Sequence, residues 1–277
     1  MDKKNKYQPI GIFDSGYGGL TVLKEIVKEL PQYDYLYLGD NARAPYGSRS
    51  FETVYEYTLQ CVNYLFNQGC HLVILACNTA SAKALRTIQQ KDLPHIDLNR
   101  RVLGVIRPTT EVIGNYTKTN SVGVLGTTGT ISSGSYLVEI EKFFPNLNVY
   151  QEACPMWVPL IENNELDNEG ADYFIKKHVT HLMQQQPNID AIILGCTHYP
   201  IIEKEIKKYL QPSVKLLSQG TIVAKSLHDY LIRHTELEKK CSKNKTLQFL
   251  TTDIAQVFDK SAGIFFDGDI KSKRIDL

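Results

Sequence analysis

An α/β fold of two pseudo-symmetric domains, each a mainly parallel sheet flanked by helices, is predicted by three observations. Short apolar runs alternate with amphipathic segments along the 277 residues, the pattern of strands connected by crossover helices. Strand-and-turn phrases from the first half return in the second: IGIFDSGYGG resembles VGVLGTTGT, and LVILACNTASA resembles AIILGCTHYPI. Polar residues gather where the apolar runs end, the position at which open α/β sheets bind ligands.

The elements follow in order. IGIF (10–13) reads as a buried strand and GYGG (16–19) as a turn. Leu20, Leu23, Ile26, Val27 and Leu30 then recur at helical spacing. DYLYLGD (34–40) is a second strand, residues 51–66 a helix, LVILAC (72–77) a strand and ASAKALRTIQQ (80–90) a helix. RVLGVI (101–106), SVGVLG (121–126), LNVYQ (147–151) and AIILGC (191–196) are further strands, most of them separated by helical segments. The division this implies is residues 1–100 plus 212–277 for one domain, carrying Cys77, and 101–211 for the other, carrying Cys196.

Composition narrows the function classes. Charged residues are 22% of the chain and the formal net charge is +1, so no global field draws in nucleic acid or an anionic membrane. The longest apolar runs are strand-sized, and MDKKNKYQ is basic without the apolar stretch of a secretory signal. These features point to the cytoplasm. Six cysteines are present, with no CxxC pair and no set of ligands spaced for structural zinc, so no metal is expected. In a reducing compartment they are free thiols, and Cys61, Cys70, Cys154 and Cys241 read as small buried apolar residues.

Cys77 and Cys196 differ from the other four. Each ends a buried strand and precedes a helical start, Cys196 with Pro200 suited to a first helical turn. A thiol beside the unpaired N–H groups of a helix N-terminus is expected to have its pKa drawn from about 8.5 toward neutrality. The same groups bind carboxylates. Asn78, Thr79 and Thr197 can hydrogen-bond a ligand or cap their helices. Asp14, Asp40 and Thr127 also fall at strand ends. From local pattern alone, Asp14 reads first as a turn or cap residue and His198 as a structural histidine, while Arg43 and Tyr46 fit a surface loop.

The phrases IGIFDSGYGG, GDNARAPYG, ACNTASA, GVIRP, VGVLGTTGTISSGSY, the Cys-Pro…VPLIE stretch (154–162) and LGCTHYP together resemble the glutamate racemases of the aspartate/glutamate racemase superfamily, collinearly and over nearly the whole chain. The resemblance implies an active site in the interdomain cleft, with Cys77 and Cys196 as catalytic thiols. Asp14 and His198 are implied beside Cys77 and Cys196 respectively, and Glu162 as an assisting acid. Asp14, Ser15, Tyr46, Gly47, Asn78, Thr79, Thr197 and His198 are implied at the substrate. It further implies cofactor-independent interconversion of L- and D-glutamate, supply of D-glutamate for peptidoglycan, a homodimer, and a C-terminal segment, LQFLTTDIAQVF (247–258), packed back on the N-terminal unit. The short leader before Ile10 implies no N-terminal activator site of the kind some longer members carry. The chain departs from the family's common phrases at Asn41, Ala44, Arg107 and Ser218.

Two thiols suit this chemistry. Inverting a stereocentre removes a proton from one face and delivers one to the other, so a thiolate base and an opposed thiol acid suffice and exchange roles in the reverse direction. Rival readings are an aspartate racemase, a single-thiol decarboxylase or acyl-transfer hydrolase, and a non-enzymatic phosphate-binding module. A single-thiol enzyme needs one cysteine, not a matched pair. The Gly-rich turns lack both the Walker and the GxGxxG spacing.

Overall fold

The computed structural model describes residues 8–277; the basic leader, and the expectations attached to it, lie outside the described residues. Ten strands form two sheets among them: β1 (Ile10–Asp14), β2 (Tyr35–Gly39), β3 (Leu72–Leu75), β4 (Arg101–Gly104), β5 (Ser121–Gly126), β6 (Asn148–Ala153), β7 (Ala191–Gly195), β8 (Lys215–Leu217), β9 (Leu247–Thr251) and β10 (Ser272–Arg274). The first sheet has the order β10-β9-β2-β1-β3-β4 and the second β6-β5-β7-β8. Every pairing is parallel.

The internal repeat is therefore topological. The orders β2-β1-β3-β4 and β6-β5-β7-β8 are the same arrangement used twice, with β1 matching β5 and β3 matching β7, as the repeated phrases predict. Each half has one switch point, where the chain changes from building outward on one side of the first strand to building on the other. These lie between β1 and β3, and between β5 and β7. A crevice opens there at the carboxyl ends of the strands.

The strands are apolar throughout because helices cover both faces. In the first sheet, Ile10, Ile12, Tyr35, Tyr37 and Ile74 pack into one core layer, with Leu20, Leu23 and Ile26 of the helix Leu20–Glu29. Phe13, Leu36, Leu38, Val73 and Leu75 face the opposite layer, with Val54, Val62 and Leu65 of the helix Phe51–Asn67. Ser50 caps that second helix, accepting a hydrogen bond from Thr53 N at 3.1 Å, an arrangement that contributes about 1 kcal/mol. The first core layer continues into the second half through Leu125, Ile192, Leu194 and Trp157.

Several predicted boundaries move. Residues 101–104 were assigned to the second domain, yet they form β4 and pair with β3 in the first sheet. Residues 215–217 were assigned to the first domain, yet they form β8 and pair with β7 in the second. An apolar edge strand has the same composition whichever sheet it joins, so pattern alone does not place it. RVLGVI stops being a strand at Gly104, and Ile106 opens the short helix Ile106–Thr110. The predicted helix 80–90 begins earlier, at Asn78, and loosens into a π turn at Ile88–Asp92. Pro94 follows that turn and lacks the N–H that would bond one turn back. LQFLT pairs with β2, which brings the C-terminal segment onto the first sheet as the resemblance implies.

Candidate active site

Both switch points carry a cysteine, and the two crevices face one another. Cys77 follows β3 and is the N-cap of the helix Asn78–Lys83, its Sγ accepting from Ala80 N at 3.4 Å. Cys196 follows β7 and leads into the one-turn 3-10 helix Tyr199–Ile202, with Pro200 in its first turn. Each cysteine is 6% exposed, and each thiol lies within electrostatic reach of the other. The remaining four cysteines are also free and buried.

The two crevices meet directly. Thr21 Oγ1 donates to Thr197 O at 2.9 Å, Gly129 N donates to Gly47 O at 2.7 Å, and the hydroxyls of Thr79 and Thr127 are 3.0 Å apart. Gly18 sits at the tightest approach, where a Cβ would stand 2.3 Å from Thr197 Oγ1 and 2.4 Å from His198 Nδ1. Only a residue without a side chain lets the β1 turn close this far on the β7 turn.

Each thiol has its own set of partners. His198 Nδ1 is 3.7 Å from Cys196 Sγ, and its Nε2 is 2.8 Å from Glu162 Oε1. Burial works against a charge on this ring, but hydrogen bonds to Cys196 and Glu162 outweigh it and lift the His198 pKa to about 10. Phe265 covers the ring edge-on at 5.2 Å. Around Cys77 the balance is reversed. Ser15 Oγ is 3.4 Å from its Sγ. Burial first, and the Asp14 carboxylate second, push the thiol up to about 12. The helix N-terminus does not draw this pKa toward neutrality as helix position alone predicts, because desolvation of the thiolate and the nearby acid exceed the effect of a single N–H bond.

Asp14 ends β1 beside this thiol. Its Oδ2 accepts from Gly16 N at 3.0 Å, while Oδ1 is buried with no partner. Burial raises its pKa against the opposing pull of His198. A buried carboxylate oxygen without a donor is an uncommon expense, and a ligand ammonium is the kind of group that would satisfy it.

Not every predicted site side chain faces the crevice. Tyr46 is fully buried, and its hydroxyl donates to Asp40 Oδ2. Asp40 also accepts from Arg43 Nε at 2.7 Å and Thr252 Oγ1 at 2.9 Å, so these three side chains hold the GDNARAPYG loop. The backbone of Gly47 meets the second half. Both amide groups of Asn78 are taken by protein, Nδ2 donating to Gln219 and Oδ1 accepting from Tyr136. Thr79 and Thr127 remain with hydroxyls at the junction. Of the departures, Arg107 is an exposed partner of Glu111, Asn41 accepts from Thr251 and Ser218 donates to Glu203; none touches a thiol. Sequence reasoning missed Gly18, Thr21, Gly129 and Gln219. Only the small-polar composition of GYGGLT and GTTGT hinted at the first three.

A family profile described as Asp/Glu/Hydantoin racemase matches residues 10–227. The chain belongs to this racemase family. Among its relatives, the glutamate racemase of Sulfurihydrogenibium sp. (strain YO3AOP1) is 38% identical over 270 residues, covering 97% of each chain. Among solved structures, a glutamate racemase from Bacillus anthracis superposes with a TM-score of 0.88 at 34% identity, covering 98% of each chain. One from Francisella tularensis subsp. tularensis SCHU S4, in complex with D-glutamate, gives a TM-score of 0.86 at 34% identity, again over 98% of each chain. The protein is thus an isomerase of the racemase type, with the two helix-flanked parallel sheets of the glutamate racemase structures. Among the described residues no helix is long and apolar enough to cross a membrane, and no group of three or more His, Cys, Asp or Glu can hold a metal ion.

Proposed function

We propose that this racemase interconverts L- and D-glutamate without a cofactor, using Cys77 and Cys196 as opposed acid and base. The observation that carries the reading is the placement of one thiol at each of two matched switch points, in crevices that close on one another. A thiolate takes the α-proton from one face of Cα while the opposed thiol delivers its proton to the other face. The result is the inverted amino acid, with the thiol and thiolate exchanged. His198 and Glu162 stand on the Cys196 side, His198 Nδ1 3.7 Å from its sulfur, and Cys77, its thiol held up by burial and Asp14, rests protonated. In one direction Cys196 is the base and Cys77 the acid, and in the other direction the roles exchange. The unpartnered oxygen of Asp14 receives the substrate ammonium. Ser15, Thr79, Thr197 and the backbone of Gly47 receive its carboxylates. Closure around a buried site excludes water from the carbanion-like transition state.

Glutamate is favoured over aspartate because closely similar relatives are glutamate racemases, one of them solved with D-glutamate. Supply of D-glutamate for peptidoglycan, a cytoplasmic location and a homodimer complete the reading. The test is incubation of the purified, reduced protein with L-glutamate or L-aspartate in D₂O. The expected result is D-glutamate carrying α-deuterium, with aspartate inert. Turnover of aspartate alone would replace the substrate, and absence of α-exchange from either would refute the racemisation.

A further inference from the structure

We propose that Gln219 is a positioning residue that ties the Cys77 turn to both points where the chain crosses between the sheets. The inference rests on the two-thiol reading above. The chain leaves the first sheet after β4 at Val105 and returns after β8 at Ser218, so Gln219 is the first residue of the returning helix Gln219–Arg233. Its side chain is buried and closes a three-membered ring of donors. Asn78 Nδ2 donates to Gln219 Oε1 at 2.6 Å, Gln219 Nε2 to the Tyr136 hydroxyl at 2.9 Å, and that hydroxyl to Asn78 Oδ1 at 2.8 Å. Gln219 Nε2 also reaches Val105 O at 3.0 Å.

The three members come from different parts of the molecule. Asn78 directly follows Cys77 at the end of the first sheet, Tyr136 lies on the helix Ser135–Phe143 over the second sheet, and Gln219 belongs to the connection. All are shielded from water, so removing one strands donors or acceptors on the other two. The ring uses both amide groups of Asn78, so the orientation of the turn that carries Cys77 is set relative to the half that carries Cys196. The connecting helix in turn packs along Leu20–Glu29, the helix that follows the Asp14 turn. A shorter polar residue at 219 does not span from the helix start to Asn78 and Tyr136. The working distance between the two thiols then loses its brace, and small misplacements of reacting groups are costly.

The test compares wild type, Gln219→Ser, Tyr136→Phe and the double variant as full chains. Readouts are kcat and KM in both directions, thermal melts, and the rate at which iodoacetamide labels Cys77. Tyr136→Phe removes a single oxygen and is the variant that keeps the fold. Each single change is expected to lower kcat about tenfold in both directions with KM changed less than about threefold, and to speed Cys77 labelling; the double variant is expected to lose no more than the worse single. Wild-type kcat and unchanged labelling in Tyr136→Phe would overturn the proposal. So would losses that multiply in the double variant, or losses that only track the folded fraction. If wild type itself does not racemise, the functional reading fails while Cys77 labelling still decides the positioning role.

Discussion

His198 stands with Nδ1 3.7 Å from the sulfur of Cys196, and its opposite nitrogen is held by Glu162 at 2.8 Å. The ring is therefore held between a sulfur and a carboxyl group, and both contacts favour its protonated form. Among the described residues, Cys77 instead has the Ser15 hydroxyl, the Ala80 N–H and the acid of Asp14 around it. The two halves share a topology but not the partners of their thiols.

Glu162 is one of the two groups that keep His198 charged. Glu162→Gln removes the charge and keeps the shape. It is expected to lower kcat by about a hundredfold or more, the lower end of general acid–base effects, and to bring the alkaline limb of the pH–rate profile down. Steady-state racemisation across pH checks both; an unchanged limb would show that His198 does not depend on this acid.

The same pair sets a pH dependence of stability. The folded-state pKa of His198, about 10, lies above its ordinary value of 6.5. Its stabilisation is complete below the lower value and is lost as pH rises through the upper one. Thermal melts of wild type and His198→Gln are expected to differ most below pH 6.5 and to converge toward pH 10. A gap that stays constant across that window would contradict the assignment.

Cys77 is expected to resist iodoacetamide near neutral pH, since its thiol is held up to about 12 by burial and by Asp14. Asp14→Asn removes the second of these causes. Labelling of Cys77, followed by mass spectrometry against pH, is expected to begin at lower pH in that variant while racemisation falls. A labelling profile identical to wild type would show that the carboxylate does not act on this thiol.

Much of this was legible in the sequence, for physical reasons. Buried parallel strands are continuous apolar runs, and the repeated phrases IGIF/VGVL and LVILAC/AIILGC correspond to β1/β5 and β3/β7. Strand-end placement singled out Cys77, Cys196, Asp14 and Thr127. Sheet membership of β4 and β8 was not legible, because an edge strand reads alike in either sheet. Nor was the inward turn of Tyr46 onto Asp40, because a loop's polar residues look the same whether they face a ligand or hold the loop. The Asn78–Gln219–Tyr136 ring joins residues as many as 141 positions apart, and no local spacing announces it. The raised pKa of Cys77 is not legible either, because helix position is visible in sequence whereas depth of burial is not.

Gly18→Ala places a methyl where Thr197 and His198 already lie. The β1 turn must back away, at a cost of about 1–3 kcal/mol, and the thiols separate with it. The variant is expected to fold with a lowered melting temperature and to lose most of kcat/KM. Wild-type kinetics would mean that catalysis does not need the closure seen between these turns.

If two thiols act on opposite faces of one carbon, each is indispensable in both directions. Racemisation of glutamate by Cys77→Ala and by Cys196→Ala, each run from the L and from the D enantiomer, decides this. Neither variant is expected to racemise in either direction, while both keep the fold by circular dichroism. Full two-way racemisation by either variant would refute the two-thiol mechanism.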